Sequence, residues 1–164
     1  ANVSSCDALV VWGGDVSVAT FRQLPKKTRC VELYFPDRIS SLIIKSSAIN
    51  ELNNINLVKV ANSFFNDTYL VDNNACSSPR KIIWVGNVLE SDKAKSKFWR
   101  AVNQTLIRKK YELNVVAKLD KYLEVLRSVS HSQSCIKVRK YSEDLWVSDQ
   151  CDCMAAGGLG WYQE

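Results

Sequence analysis

Asp7-Ala-Leu-Val-Val-Trp12, Gly13-Gly14, Asp15-Val-Ser-Val-Ala-Thr-Phe-Arg-Gln-Leu24 and Thr28-Arg-Cys-Val-Glu-Leu-Tyr-Phe35 follow one another near the start of the chain. The first is a short continuous apolar run of the kind a buried parallel strand carries. Two glycines break it. The next ten residues read as a helix, with Asp15 as N-cap and Pro25 just past its end. The last segment reads as a second strand. Strand, glycine turn, helix and strand make a βαβ unit, which points to the α/β class.

Working outward, Pro36-Asp37 punctuates the chain and Ser41-Leu-Ile-Ile44 is another buried-strand pattern. From Asn50 to Leu70, apolar residues at 52, 55, 57, 58, 60, 61, 64 and 65 predict one helix. Lys81-Ile-Ile-Trp-Val85 follows as a strand. Ser91 reads as the cap of a long helix, Lys93 to Leu113, and a second helix runs from Val115 to Val129. Cys135–Arg139 and Leu145–Val147 are late strands. Gly157-Gly-Leu-Gly160 is a turn; it lacks the spacing and the following helix of a dinucleotide fingerprint.

The composition excludes several classes. Of 164 residues, 46% are apolar and 24% charged, as in ordinary globular domains. No run approaches the ~18 apolar residues of a bilayer span. The opening Ala1-Asn-Val-Ser-Ser-Cys6 shows no signal-peptide pattern, so a cytoplasmic protein with reduced thiols is expected. The alternative is a secreted, disulfide-linked binding protein, because six cysteines and three Asn-x-Ser/Thr triplets (Asn2, Asn66, Asn103) are present. Much of the +5 net charge falls between Lys93 and Lys110, on what reads as a solvated helix face. No aromatic interleaving or nucleic-acid motif accompanies it, so nucleic acid is not an expected partner. Cys151-Asp-Cys153 is too close-set for zinc and His131 is the only histidine, so no metal site is expected.

Asp72-Asn-Asn-Ala-Cys76-Ser-Ser-Pro79 carries the chemistry. It sets a cysteine among small polar residues between a helical run and a strand. Backbone N–H groups at such a junction can stabilise a thiolate, making Cys76 a candidate nucleophile. The competing reading is a small buried hydrophobe. Ser77 and Ser78 read as turn formers.

Three segments together resemble one family. Asp7-Ala-Leu-Val-Val-Trp-Gly-Gly-Asp15, Val31-Glu-Leu-Tyr-Phe-Pro-Asp-Arg-Ile-Ser-Ser-Leu-Ile-Ile44 and Asp72–Val85 occur in the order found in the long-chain acyl-CoA reductases. These are the fatty-aldehyde-forming enzymes of bacterial bioluminescence, in the aldehyde dehydrogenase superfamily. Ala75-Cys-Ser-Ser-Pro79 is the most specific piece, and the resemblance runs to about Trp99. It implies a three-layer αβα, aldehyde-dehydrogenase-like catalytic domain over residues 39–164. Residues 1–38 would be the tail end of a dinucleotide-binding domain, and the whole chain the C-terminal part of such an enzyme.

The resemblance also implies roles. Cys76 would be the nucleophile and Glu32 the superfamily's general base. Gly13 and Gly14 would lie against NADPH, and the substrate would be a fatty acyl-CoA, delivered by acyl-supplying partner enzymes. Tyr34-Phe-Pro-Asp-Arg38 stands where the superfamily carries glycines and a lysine. A non-catalytic, partner-binding remnant of such an enzyme is the alternative function.

Overall fold

The computed structural model describes residues 3–36, 38, 40–73, 75–131, 137–149 and 161–163. The chain divides into two compact units, Ala1–Arg38 and Ile39–Glu164.

In the first unit, β1 (Ala8–Trp12) and β2 (Val31–Phe35) pair in parallel, from Ala8↔Val31 to Trp12↔Phe35, with α1 (Asp15–Gln23) between them in sequence. The expected βαβ unit forms. Asp15 is not the N-cap. Gly14 holds that position in extended backbone, and Asp15 is the first helical residue, where its carboxylate meets the positive end of the helix. The second strand starts at Val31 rather than Thr28, because a turn from the Cys30 N–H to the Lys27 carbonyl (3.0 Å) takes up the residues before it. Val11 and Val18 are buried, and the Trp12 ring stacks on Phe35 at 4.4 Å.

The second unit holds a five-stranded sheet, order β3-β4-β7-β6-β5. The strands are β3 (Ser40–Lys45), β4 (Pro79–Val85), β5 (Lys137–Ser142), β6 (Leu145–Asp149) and β7 (Trp161–Gln163). All neighbours pair in parallel except the β5–β6 hairpin. Two helices, α2 (Ser46–Glu51) and α3 (Asn54–Thr68), connect β3 to β4, and α4 (Val88–Arg108) packs against both. The period-2 alternation of strands sends Leu42, Ile44, Ile82 and Trp84 to the helix side, while Ile43, Ile83 and Val85 are exposed. The core is aromatic: Phe98 and Trp99 are almost fully buried, and Phe64 meets their rings edge-on at 5.2 and 5.7 Å.

The single helix expected over Asn50–Leu70 is two helices and a 3-10 turn, Tyr69–Val71. The break has a local cause. Leu52 is extended, and Asn53 starts a new helix by accepting the Asn56 N–H at 2.9 Å. Ser91 is likewise not a cap. Asn87 caps α4, accepting the Glu90 N–H at 2.9 Å, and the Ser91 hydroxyl meets Ser46 Oγ at 2.9 Å. Gly86 is needed where strand turns to helix, since a Cβ there would lie 3.0 Å from Ser46 Cβ. Helix α4 stops at Arg108, short of Leu113. Lys110 adopts φ +53°, its N–H bonds the Ile107 carbonyl, and the Tyr111 N–H bonds Leu106, which is a Schellman ending.

Helix α5 (Val115–His131) is capped by Asn114, which accepts the Ala117 N–H at 2.8 Å. Its Tyr122 meets Trp146 edge-on at 6.2 Å. Leu145 and Val147 belong to the core, and Trp146 between them is half-buried. Lys121 is buried and donates to the Glu143 carbonyl at 3.3 Å; burial pulls its pKa down to about 7, against the opposing pull of Asp144 and Glu143. Strand β7 had no counterpart in the sequence reading. Gly157–Gly160, Cys135, Cys151, Cys153 and the His131 side chain lie outside the described residues. Among the described residues no helix is long and apolar enough to cross a membrane, and no cluster of side chains could hold a metal ion.

Candidate active site

The loop carrying Cys76 is built from the end of α3. Phe64 receives a hydrogen bond from the Thr68 hydroxyl, and the 3-10 turn then tightens the chain. Asp72 and Asn73 both take left-handed backbone, at φ +50° and +59°. Asn and Asp adopt this conformation more readily than other non-glycine residues. The Asn73 N–H returns to the Thr68 carbonyl at 2.7 Å. These two residues reverse the chain so that it can enter β4.

Side chains then pin the loop on three sides. The Tyr111 hydroxyl, just beyond α4, donates to Asp72 Oδ1 at 2.7 Å. The Ser78 hydroxyl donates to the Asp67 carbonyl at 2.6 Å, and Ser78 is buried. The Ser40 hydroxyl, at the start of β3, donates to the Cys76 carbonyl at 2.6 Å. A backbone bond from the Ser78 N–H to the Ala75 carbonyl, 3.0 Å, closes a four-residue turn with Cys76 and Ser77 at its two central positions. Ser78 is thus a turn former, as its sequence context suggests.

Cys76 itself is exposed and its thiol is free. The small-buried-hydrophobe reading is therefore wrong for this residue. Its carbonyl is tethered while its sulfur faces solvent, and its N–H bonds no group among the described residues. Asn73 is the reverse. Its side chain is fully buried, and among the described residues neither polar atom has a hydrogen-bond partner. Ser40, Tyr111 and Asn73 escaped the sequence reading. Only the Asp-Asn pair carried a local signal, its tolerance of left-handed backbone.

The other expected site residues lie in the first unit. Glu32, on β2, bonds Lys26 Nζ at 2.7 Å and accepts a hydrogen bond from the Tyr34 hydroxyl. The hydrogen bonds from Lys26 and Tyr34 hold its carboxyl below the usual carboxylate value, and Glu32 in turn raises Lys26. Arg22 sits 4.8 Å over the Tyr34 ring. Gly13 follows β1, its N–H reaching the Phe35 carbonyl at 3.4 Å. A Cβ at Gly13 would lie 3.2 Å from Ser17 Cβ, so the glycine lets α1 start close to the strand. Gly14 has ordinary extended backbone, and no side chain caps the helix there.

Residues 1–109 match the family model described as "Acyl-CoA reductase (LuxC)". The chain belongs to the LuxC acyl-CoA reductase family. The match covers the β1–β2 and β3–β4 pairs and the Cys76 loop, and it ends one residue past α4, somewhat beyond Trp99, where the resemblance read from sequence stops. Searches of curated proteins and of solved structures returned no match. Membership makes the chain part of an oxidoreductase family linked to bioluminescence.

Proposed function

We propose that this LuxC-family chain carries the acylation centre for reducing a fatty acyl-CoA to an aldehyde, with Cys76 as nucleophile. The carrying observation is the Cys76 turn: an exposed free thiol on a residue whose own carbonyl is held by Ser40, in a loop whose Ser78 is anchored to Asp67, inside the family match. The Cys76 thiolate attacks the thioester carbonyl, and CoA leaves as its thiolate. The new acyl-enzyme is again a thioester, so this exchange costs little and keeps the carbonyl reactive. Thiolates suit both halves, as good nucleophiles and good leaving groups. The Cys76 N–H, unbonded among the described residues, is the local donor for the carbonyl oxygen as charge develops on it.

A reduced nicotinamide cofactor, NADPH in this proposal, supplies the hydride when bound. The residues for it are Gly13 and Gly14. No side chain caps the α1 N-terminus beside them, while Asp15 puts a carboxylate in the first turn. That combination fits a neutral ring better than a phosphate. Cys76 then acts a second time, as the leaving group that releases the aldehyde. Glu32, already bonded to Lys26 and Tyr34, is not required as a base in this direction. Fold and partners belong to the same proposal: an aldehyde-dehydrogenase-like three-layer domain, which the position of α5 against Trp146 supports, a dinucleotide-binding identity for residues 1–38, acyl-supplying partner enzymes and a cytoplasmic location.

Incubation with a mass-tagged acyl-CoA tests the reading. The acyl mass should appear on the wild type and be absent from Cys76→Ala. Labelling that survives this substitution overturns it.

A further inference from the structure

The basic stretch between Lys93 and Arg100 is not a uniformly solvated face. Lys93, Lys97 and Arg100 stand at successive turns of α4 and line one side of a groove of about 600 Å³ between α3 and α4. Leu57, Val58 and Ala101 line it with them. No carboxylate among the described residues lines this groove. Among the described residues none of the three cations is in an ion pair. Like charges one turn apart destabilise a helix, so three of them in a row need another reason to be there.

Lys97 has part of that reason. Its ammonium donates to the Asn50 and Leu52 carbonyls at 2.9 and 2.7 Å, which closes the end of α2. An ammonium has three donors, so one N–H remains on a group already held in place. Lys93 and Arg100 have no such structural work; both are exposed on the groove. A second, smaller cavity adjoins through Ser96 and Arg100 and adds Arg139 from β5, with Asp92 its one carboxylate. The result is a concave surface with a tethered cation at its centre, two exposed ones beside it and apolar side chains for an organic body.

We propose that the α3–α4 groove binds a phosphate-bearing small molecule, a nucleotide whose phosphates meet Lys93, Lys97 and Arg100 and whose body rests on Leu57 and Val58. Lys93 to Arg100 spans about 10 Å of helix, which suits two phosphates rather than one carboxylate. Arg and Lys bind phosphate through short charge-assisted hydrogen bonds. No residue of the Cys76 loop is among those that line the groove.

Calorimetric titration of the whole chain with inorganic pyrophosphate and with adenosine 3′,5′-bisphosphate, at physiological ionic strength, decides it. Both should bind saturably, the nucleotide more tightly. The double variant Lys93→Gln/Arg100→Gln should bind at least about tenfold more weakly, with an unchanged melting temperature. Lys45→Gln/Lys81→Gln, which removes the same charge from exposed positions on β3 and β4 that do not line the groove, should bind within about twofold of wild type, since exposed charges not in contact with the ligand are screened. If the double variant melts early, Arg100→Gln alone serves. Absence of saturable binding, equal weakening by both charge removals, or pyrophosphate binding as tightly as the nucleotide would overturn the proposal.

Discussion

Cys76 and Glu32 are the two residues that the family resemblance pairs in catalysis, and their surroundings are opposite. Around Cys76 the backbone is bonded and the reactive atom is left alone: Ser40 holds its carbonyl and Ser78 closes its turn, while the sulfur faces solvent. At Glu32 the reactive atoms are themselves engaged, by Lys26 and Tyr34, and both hydrogen bonds favour the ionised form. A general base works best with a pKa near the operating pH; this carboxyl is moved the other way. The contrast fits a reaction that needs a nucleophile and a leaving group but no water-activating base.

Substitutions can break that contrast, in descending order of effect. Ser78→Ala removes a buried hydroxyl and leaves the Asp67 carbonyl without its donor. It should cost about 1–3 kcal/mol, read by denaturant unfolding, and should slow acylation of Cys76. A stable variant with wild-type acylation would show that the loop's tethers do not position the cysteine. Next comes the left-handed backbone at Asn73. Asn73→Ala should be less stable than Asn73→Gly by about 1 kcal/mol, because glycine takes φ +59° without the Cβ penalty. Equal stabilities would mean that the left-handed backbone does not set the residue at this position.

The smallest effect should come from Glu32→Gln, with acylation within about twofold of wild type. Its visible consequence is in pH dependence. The Glu32 pKa is lowered and the Lys26 pKa raised. The pair's contribution is therefore fully present between the ordinary values, 4.5 and 10.5. It is lost in acid as pH falls through Glu32's lowered value, and in base as pH rises through Lys26's raised value. Unfolding curves of wild type and Glu32→Gln should converge at the acid limit. A large loss of acylation in Glu32→Gln would make this residue a participant after all.

The strands of this molecule were legible because their apolar runs are short and bounded: Ala8–Trp12, Ser40–Lys45 and Pro79–Val85 all lie where the runs predict. Helix boundaries were legible in type but not in place. Asn53, Asn87 and Lys110 set them through caps and a left-handed turn, and each competes with an apolar periodicity that continues past it. Strand β7 went unread because three residues after a glycine cluster carry too little pattern to register. At the candidate site, the cysteine was legible from its neighbours in sequence. Its supports were not, since Ser40 and Tyr111 reach it from 36 residues before Cys76 and 39 residues after Asp72. Pairings at that separation leave no local trace.

The central claim is that Cys76 alone takes the acyl group. Peptide mapping of the chain after brief exposure to a mass-tagged fatty acyl-CoA measures this directly, with Cys6 and Cys30 as internal free thiols in the same sample. The account predicts the acyl mass on the peptide containing Cys76 and on no peptide carrying another of the six cysteines. Acyl mass spread over Cys6, Cys30 and Cys76 alike, or absent from Cys76, would contradict it.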